Sequence, residues 1–200
     1  MMLRLIIAGV LLAGLWISAV TLAGSTVERM IAEEIVPETP RESAVWQQGV
    51  ARLTQISQLD PWHPGVLDRL AELQPERDAL ATRRQLVEIS PRVARYWVDL
   101  FVLKTRLQEW DDEARQALAE AVRLGPYEPV VNEKIIRQAM AAWPLLDQPA
   151  RRMVIEASAR GLQSSAHFRR DAVWRLVRRS GLLPLTCQVE GASTHPLCDP

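Results

Sequence analysis

Residues 5–24 form one uninterrupted apolar run, with the sequence LIIAGVLLAGLWISAVTLAG. At a helical rise of about 1.5 Å per residue the run spans roughly 30 Å, the thickness of the hydrocarbon core of a bilayer. It therefore predicts a transmembrane signal-anchor helix over residues 1–24. Arg4 precedes the run, whereas Glu28 and Glu33 follow it. Because cytoplasmic flanks favour Lys and Arg, we expect the bulk of the chain outside the cytoplasm.

A cleaved signal peptide is the alternative interpretation of this run. The residues Thr21-Leu22-Ala23 have the small-x-small pattern of a cleavage site. The apolar run is longer than the usual 7–15-residue core of a signal peptide, which favours a retained anchor. Residues 25–42 are acidic and contain Pro37 and Pro40, so they are predicted to be a linker.

Residues 43–182 have apolar side chains at helical spacing and no convincing strand alternation. This pattern predicts an all-α domain of about eight helices with short connections. Residues 183–200 are predicted to be a tail that contains both cysteines. The whole chain has 24 acidic and 24 basic side chains, and this balance gives no net attraction to nucleic acid.

Three prolines punctuate the helical region in the same way. Pro61, Pro91 and Pro126 each follow a hydrophobic residue and a small or polar residue, at separations of 30 and 35 residues. A helix pair with its two turns occupies about this length of chain, and helix pairs are the units of an α-solenoid.

The segment between Pro91 and Pro126 resembles a tetratricopeptide repeat. The matching positions are an aromatic residue and Leu on the first helix, small or apolar residues on the second, and a closing proline: Trp97, Leu100, Ala114, Leu118, Ala121 and Pro126. Phe101 stands where a small residue is usual, and Lys104 replaces an aromatic. We expect the Lys104 ammonium to reach solvent along its apolar stem. The resemblance implies a short tetratricopeptide-like α-solenoid of two to three repeats.

Cys187 and Cys198 are the two cysteines of the chain. In an oxidising compartment they would form a disulfide that closes a short loop, and in a reducing one they would be free thiols. Together with His195 they supply at most three ligands to a metal that usually needs four. A disulfide is the favoured interpretation.

The sequence contains none of the common nucleophile, zinc or phosphate-loop motifs. His63 and His167 lie in different elements. His63 occupies a turn between helices, where a capping or solvent-facing role is more common than general-base catalysis. We expect a non-enzymatic chain with no cofactor and no metal.

The C-terminal third is rich in arginine. Between Arg151 and Arg179 there are eight Arg residues and two acidic residues. Arg175, Arg178 and Arg179 are candidates for docking to phosphate groups or to an acidic partner surface. The alternative is a solvated helix face on which Asp171 and Arg175 form an i,i+4 pair.

Trp62 and Trp110 are also candidates for contact with a partner. Both are predicted to lie in turns at the same edge of successive repeats. Aromatic turn residues can stack on sugar rings or anchor a partner protein. The alternative is that they pack within the repeats, as expected for Trp97, Trp143 and Trp174.

The outline of the whole chain resembles the VpsP-type proteins, bacterial membrane-anchored accessory proteins of exopolysaccharide and O-antigen biosynthesis. The residues that carry the resemblance are 93–97, 124–129, 142–143 and 182–187. It implies a non-catalytic scaffold of a polysaccharide biosynthesis or export complex. The protein would cross the bacterial inner membrane once, hold its domain in the periplasm and bind polymerase or export components. The alternative is a general envelope assembly or quality-control adaptor that binds peptides in a tetratricopeptide-like groove.

Overall fold

The computed structural model describes residues 15–16, 18–19, 21–22, 24–26, 39–162, 167–189 and 198, with only the backbone for residues 167–172. All regular secondary structure in these residues is helical, and none of them forms a strand. The prediction of an all-α fold is confirmed.

Nine α-helices lie between residues 44 and 186 of the described chain. They are α1 (Ala44–Leu59), α2 (Pro64–Leu73), α3 (Glu76–Ile89), α4 (Ala94–Arg106), α5 (Asp112–Leu124), α6 (Pro129–Ala141), α7 (Gln148–Leu162), α8 (His167–Arg179) and α9 (Leu183–Thr186). A short 3-10 helix, Trp143–Leu145, precedes α7. The described residues between 15 and 26 are also helical, and we call them the N-terminal segment.

The chain divides into two compact units, Met1–Ile89 and Ser90–Pro200. The boundary lies inside the domain predicted over residues 43–182. Among the described residues, no helix is both long enough and apolar enough to span a bilayer. Most of the apolar run of residues 5–24, on which the predicted anchor depends, lies outside the described residues.

The first unit packs α1 against α2 and α2 against α3. Its core is a cluster of buried aliphatic side chains with three half-buried neighbours: Leu53, Val66, Leu70 and Leu73, with Trp46, Val50 and Ile56. The Trp46 indole N–H donates to the backbone oxygen of Leu73 over 3.2 Å, which joins the start of α1 to the end of α2. A buried ion pair between Asp68 and Arg83 joins α2 to α3.

The three prolines predicted to separate helix pairs do occupy equivalent turns. In each turn the backbone N–H two residues after the proline donates to the carbonyl oxygen of the residue before it, over 3.2–3.3 Å: His63 to Asp60, Val93 to Ser90, and Glu128 to Gly125. The donating residues are the N-caps of α2, α4 and α6. Because proline lacks an amide donor, it can occupy this position without leaving an unsatisfied N–H.

The second unit contains two helix pairs, α4 with α5 and α6 with α7. The first helices of the pairs contact each other, as do the second helices, and α8 packs on both α6 and α7. The short helix α9 packs on α7 and α8. Each helix pair therefore buries its apolar face partly against the other pair.

Small residues line the crossing of α4 and α5. Ala114, Ala117 and Ala121 are completely buried. Gly125, which follows α5, lies so close to α4 that a methyl group there would be 2.7 Å from the Cβ atom of Ala94. The small residues assigned to this crossing from the sequence thus lie at a close approach of two helices.

We expect the replacement Ala121→Leu to destabilise the second unit, because extra bulk in a packed crossing costs about 1–3 kcal/mol. The melting temperature of the full chain, followed by circular dichroism in detergent, should fall by several degrees. Gln116→Leu is the matched control, since Gln116 is exposed on the same helix. Equal melting temperatures for the two variants would contradict the assignment of this face as a tight crossing.

Candidate functional site

Five of the six tryptophans between residues 39 and 189 take part in the fold. Trp97 donates its indole N–H to the Pro91 carbonyl oxygen over 2.8 Å. Four others have an arginine guanidinium over the ring, at 5.2–5.7 Å from the ring centroid: Arg41 over Trp46, Arg115 over Trp110, Arg151 over Trp143, and Arg178 over Trp174. Trp62 is different, because 70% of its surface is exposed.

Trp62 projects from a turn whose backbone is firmly held. The backbone N–H of Trp62 donates to Oδ1 of Asp60 over 3.3 Å. Gln85, on α3, donates through Nε2 to the Pro61 carbonyl oxygen over 2.7 Å. His63 caps α2 by accepting a hydrogen bond at Nδ1 from the Val66 N–H, which is one of the two roles expected for it from the sequence. The exposed indole is therefore presented by an ordered turn.

The N-terminal segment contacts this turn. The Thr21 hydroxyl donates to Oδ2 of Asp60 over 3.4 Å. Gly24 is buried, and a methyl group there would lie 3.2 Å from Cδ2 of His63 and 3.3 Å from Cγ2 of Val66. The end of the predicted anchor and the turn that carries Trp62 are thus neighbours within the first unit.

Trp110 has a different environment from Trp62. Its ring packs edge-on against Phe101, with the ring centroids 6.4 Å apart. It lies in the turn inside the α4–α5 pair, whereas Trp62 precedes the first helix of the α2–α3 pair. The prediction that the two residues occupy equivalent positions is therefore wrong, since Trp110 belongs to a hairpin turn that its ring helps to pack.

Tyr127 is the true counterpart of Trp62, although it is not among the contact residues predicted from the sequence. It follows Pro126 as Trp62 follows Pro61, and it is 72% exposed. The signal was present in the sequence, because an aromatic residue comes directly after the proline in two of the three turns. In the remaining turn this position is Arg92, which is also exposed.

Lys104 lies at the centre of a cluster of three carboxylates in the second unit. Its side chain is 1% exposed, and its Nζ donates to Asp111 over 2.6 Å and to Glu109 over 2.7 Å, with Glu113 at 3.2 Å. Burial works to lower the pKa of this ammonium, but the hydrogen bonds to the three carboxylates outweigh it and hold the pKa above its usual value. The expectation that the Lys104 ammonium reaches solvent is wrong.

Asp111 has two structural tasks at once. One oxygen binds Lys104, while the other accepts a hydrogen bond from the Ala114 N–H over 3.0 Å and caps α5. Burial works to raise the pKa of this carboxyl, but the bonds from Lys104 and Ala114 outweigh it and hold the pKa below its usual value. The cluster therefore fixes the α4–α5 turn.

The carboxylate of Asp147 joins the two helix pairs of the second unit. Nε of Arg115, on α5, lies 2.7 Å from Oδ2 of Asp147. Asp147 also accepts a hydrogen bond from the Ala150 N–H in the first turn of α7. The bond from Arg115 is the main cause that lowers the pKa of Asp147.

The arginines predicted to contact a partner lie on α8. Arg175, Arg178 and Arg179 are all exposed. None of the three has a carboxylate partner among the side chains that the structure describes, and the Asp171 side chain, the predicted partner of Arg175, is outside them. This face of α8 therefore carries three exposed arginines, of which Arg178 also lies over the Trp174 ring.

The cysteines are joined in the structure. Cys187 and Cys198 form a disulfide with their Cα atoms 5.4 Å apart, directly after α9. His195, the third residue of the metal alternative, lies outside the described residues. Within the described part of the chain, no three His, Cys, Asp or Glu side chains are grouped to hold a metal ion.

Comparison of the sequence with protein-family models and with curated proteins finds no match.

We expect Asp111→Ala to lower the free energy of unfolding by about 0.5–2 kcal/mol, the usual effect of losing an N-cap. Asp111→Asn is the matched control, because Asn keeps the capping oxygen and replaces the charged oxygen that binds Lys104 with an amide NH2 group. Urea unfolding of the full chain in detergent at neutral pH should therefore rank wild type as most stable and Asp111→Ala as least stable. Equal stability of Asp111→Ala and wild type would contradict the capping role.

Lowering the pH isolates the contribution that the charge of Asp111 makes to stability. Because the folded-state pKa of Asp111 is lowered, its charge stabilises the fold above the unfolded-state pKa of about 3.9 and ceases to do so as pH falls through the folded value. The stability difference between wild type and Asp111→Asn should therefore shrink below about pH 4. A difference that grows in acid would contradict this assignment.

Proposed function

We propose that the chain is a non-catalytic, membrane-anchored scaffold of a polysaccharide biosynthesis or export complex, acting from the periplasmic side of a bacterial inner membrane. The apolar run of residues 5–24 carries the proposal, because a segment of that length and hydropathy would hold the helical units at one membrane surface. The polysaccharide itself is suggested by the resemblance of the outline to VpsP-type accessory proteins.

The helical architecture supports a role in binding other proteins. The equivalent proline turns and the contacts between successive helix pairs favour a short tetratricopeptide-like solenoid. Repeat domains of this kind commonly bind partners over an extended surface. The carboxylates around Lys104 cap a helix and fix a turn, and Asp147 caps another helix and joins the two pairs. These two polar clusters therefore have structural roles, which fits a non-catalytic domain.

The arginine face of α8 is the part of the second unit best suited to an acidic partner. Arg175, Arg178 and Arg179 are exposed, and each guanidinium can bind a carboxylate in a bidentate manner. We assign this face to an acidic surface of a polymerase or export component in the same membrane.

The anchor and its orientation are tested by a C-terminal alkaline phosphatase fusion, which should be active and should stay in the membrane fraction after a carbonate wash. In the periplasm the thiols of Cys187 and Cys198 should also resist maleimide in the absence of reductant. Release into the soluble fraction would indicate cleavage near Thr21-Leu22-Ala23. An inactive fusion would indicate the opposite orientation.

The scaffold role is tested by deleting the gene and measuring surface polysaccharide, which should fall and should be restored by the wild-type chain. A variant with Arg175→Glu, Arg178→Glu and Arg179→Glu should fail to restore it, because the charge of the docking face is reversed. The corresponding triple Lys variant keeps the charge and is the matched control. Because Arg178 lies over the Trp174 ring, the melting temperature of both variants is measured as well. If either triple variant melts well below wild type, the corresponding double variant at Arg175 and Arg179 is used instead, since it leaves that contact intact.

Unchanged polysaccharide in the deletion strain would contradict the proposed complex. If periplasmic peptides were then found to bind the purified chain, the alternative of a general envelope adaptor would be favoured.

A further inference from the structure

We infer that Trp62 and Leu59 insert into the lipid interface beside the anchor and hold the first unit against the membrane. The inference deepens the proposed function and rests on the anchor proposed there. It concerns one surface, the exposed apolar side chains of the turn between α1 and α2.

This surface is apolar and has no covering side chain among the described residues. Trp62 is 70% exposed and Leu59 is 63% exposed, three residues apart on either side of Asp60 and Pro61. The other tryptophans of residues 39–189 are covered by arginine or hydrogen-bonded to backbone, whereas Trp62 contributes little to the packing of its own unit. A large, rigidly presented indole of this kind is typical of a contact residue.

The position of the surface relative to the anchor identifies its partner. Asp60, between Leu59 and Trp62, accepts the hydrogen bond from Thr21, which lies three residues before the end of the apolar run. Three residues correspond to about 4.5 Å along a helix. Since the run matches the thickness of the hydrocarbon core, its last turn lies where acyl chains meet headgroups. The turn that carries Trp62 is therefore held at the depth of that boundary.

The chemistry of the side chains suits that depth. Tryptophan is enriched at membrane interfaces, because its apolar ring can enter the acyl region while its N–H stays near water and headgroups. Leu59 adds aliphatic surface, and the exposed Leu22 of the N-terminal segment extends the apolar area toward the bilayer core. Asp60 accepts hydrogen bonds from the Trp62 backbone N–H and from the Thr21 hydroxyl, and His63 caps α2, so the insertion of the Trp62 ring leaves both polar side chains at headgroup level.

The rigid turn makes the contact useful for orientation. The Pro61 carbonyl is fixed by Gln85 of α3, and the Asp60 N–H donates to Ile56 of α1 over 2.8 Å. A side chain inserted beside the anchor adds a second point of attachment to the membrane. Two points resist tilting of the first unit, which a single helix followed by a linker cannot do.

The test is depth-resolved fluorescence quenching on the full chain in vesicles of phosphatidylethanolamine and phosphatidylglycerol that contain brominated lipid. Bromines near the headgroup end of the acyl chain should quench an emission component that is lost in Trp62→Phe. Bromines near the chain end should instead quench the component that is lost in Trp16→Phe. Trp16 lies eight residues before Gly24, about 12 Å deeper along the helix.

Moving the indole provides the matched controls. In the Trp62→Phe background, Leu59→Trp should restore the shallow quenching, because position 59 lies on the same surface. Val45→Trp should not restore it, since Val45 is exposed at the other end of α1, about 21 Å away. Equal quenching of both would overturn the proposal, because the lipid contact would then not depend on the turn.

The two tryptophans separate the two hypotheses. Deep quenching that depends on Trp16 without any shallow quenching that depends on Trp62 would support the anchor and overturn the interfacial contact. Loss of both signals would overturn the anchor itself. Trp62 emission that responds to an added soluble sugar or protein but not to brominated lipid would assign the surface to that ligand instead.

Discussion

The absence of an amide hydrogen on proline shapes both units of this protein. Pro61, Pro91 and Pro126 end one helix and allow the next to begin, and each turn is closed by the same backbone hydrogen bond. A chain punctuated in this way has to fold as short helices whose apolar faces are covered by their neighbours. The same geometry leaves the residue after each proline facing solvent, so the turns that set the fold also supply the exposed side chains at Trp62 and Tyr127.

The parts of the structure that the sequence predicts are those governed by local rules. Helical spacing predicts the all-α fold, the prolines predict the turns, and the position of His63 favours a capping or solvent-facing role over catalysis, because each depends on a few adjacent residues. The environment of Lys104 could not be predicted from adjacent residues. Because Lys104 lies on an apolar stripe of α4, the sequence predicts that its ammonium reaches solvent. In the structure the following turn brings the carboxylates of Glu109, Asp111 and Glu113 into contact with this ammonium. Their spacing was the available signal, and only the path of that turn decides that all three reach one nitrogen.

The tryptophans show the same limit for the candidate site. Sequence position alone groups Trp62 with Trp110, since both lie between helices. The structure separates them, because a turn within a helix pair is packed by its own side chains, as Trp110 is by Phe101 and Arg115. Trp62, in the turn that precedes the α2–α3 pair, is instead 70% exposed. The distinction depends on which helices form a pair, and that is a tertiary property.

The two surfaces assigned to partners differ in their physics, and the difference fits two kinds of contact. As proposed, the arginine face of α8 would act through charge, which is screened over roughly 8–10 Å at physiological salt and which distinguishes acidic partners from neutral ones. The proposed Trp62 contact would act through apolar area, which is largely indifferent to salt and to the identity of the lipid headgroup. A membrane-anchored scaffold of the proposed kind would use the first property to select a protein partner and the second to keep its orientation when that partner dissociates. The placement of the apolar surface beside the N-terminal segment, and of the charge on a separate helix of the other unit, is consistent with that division of tasks.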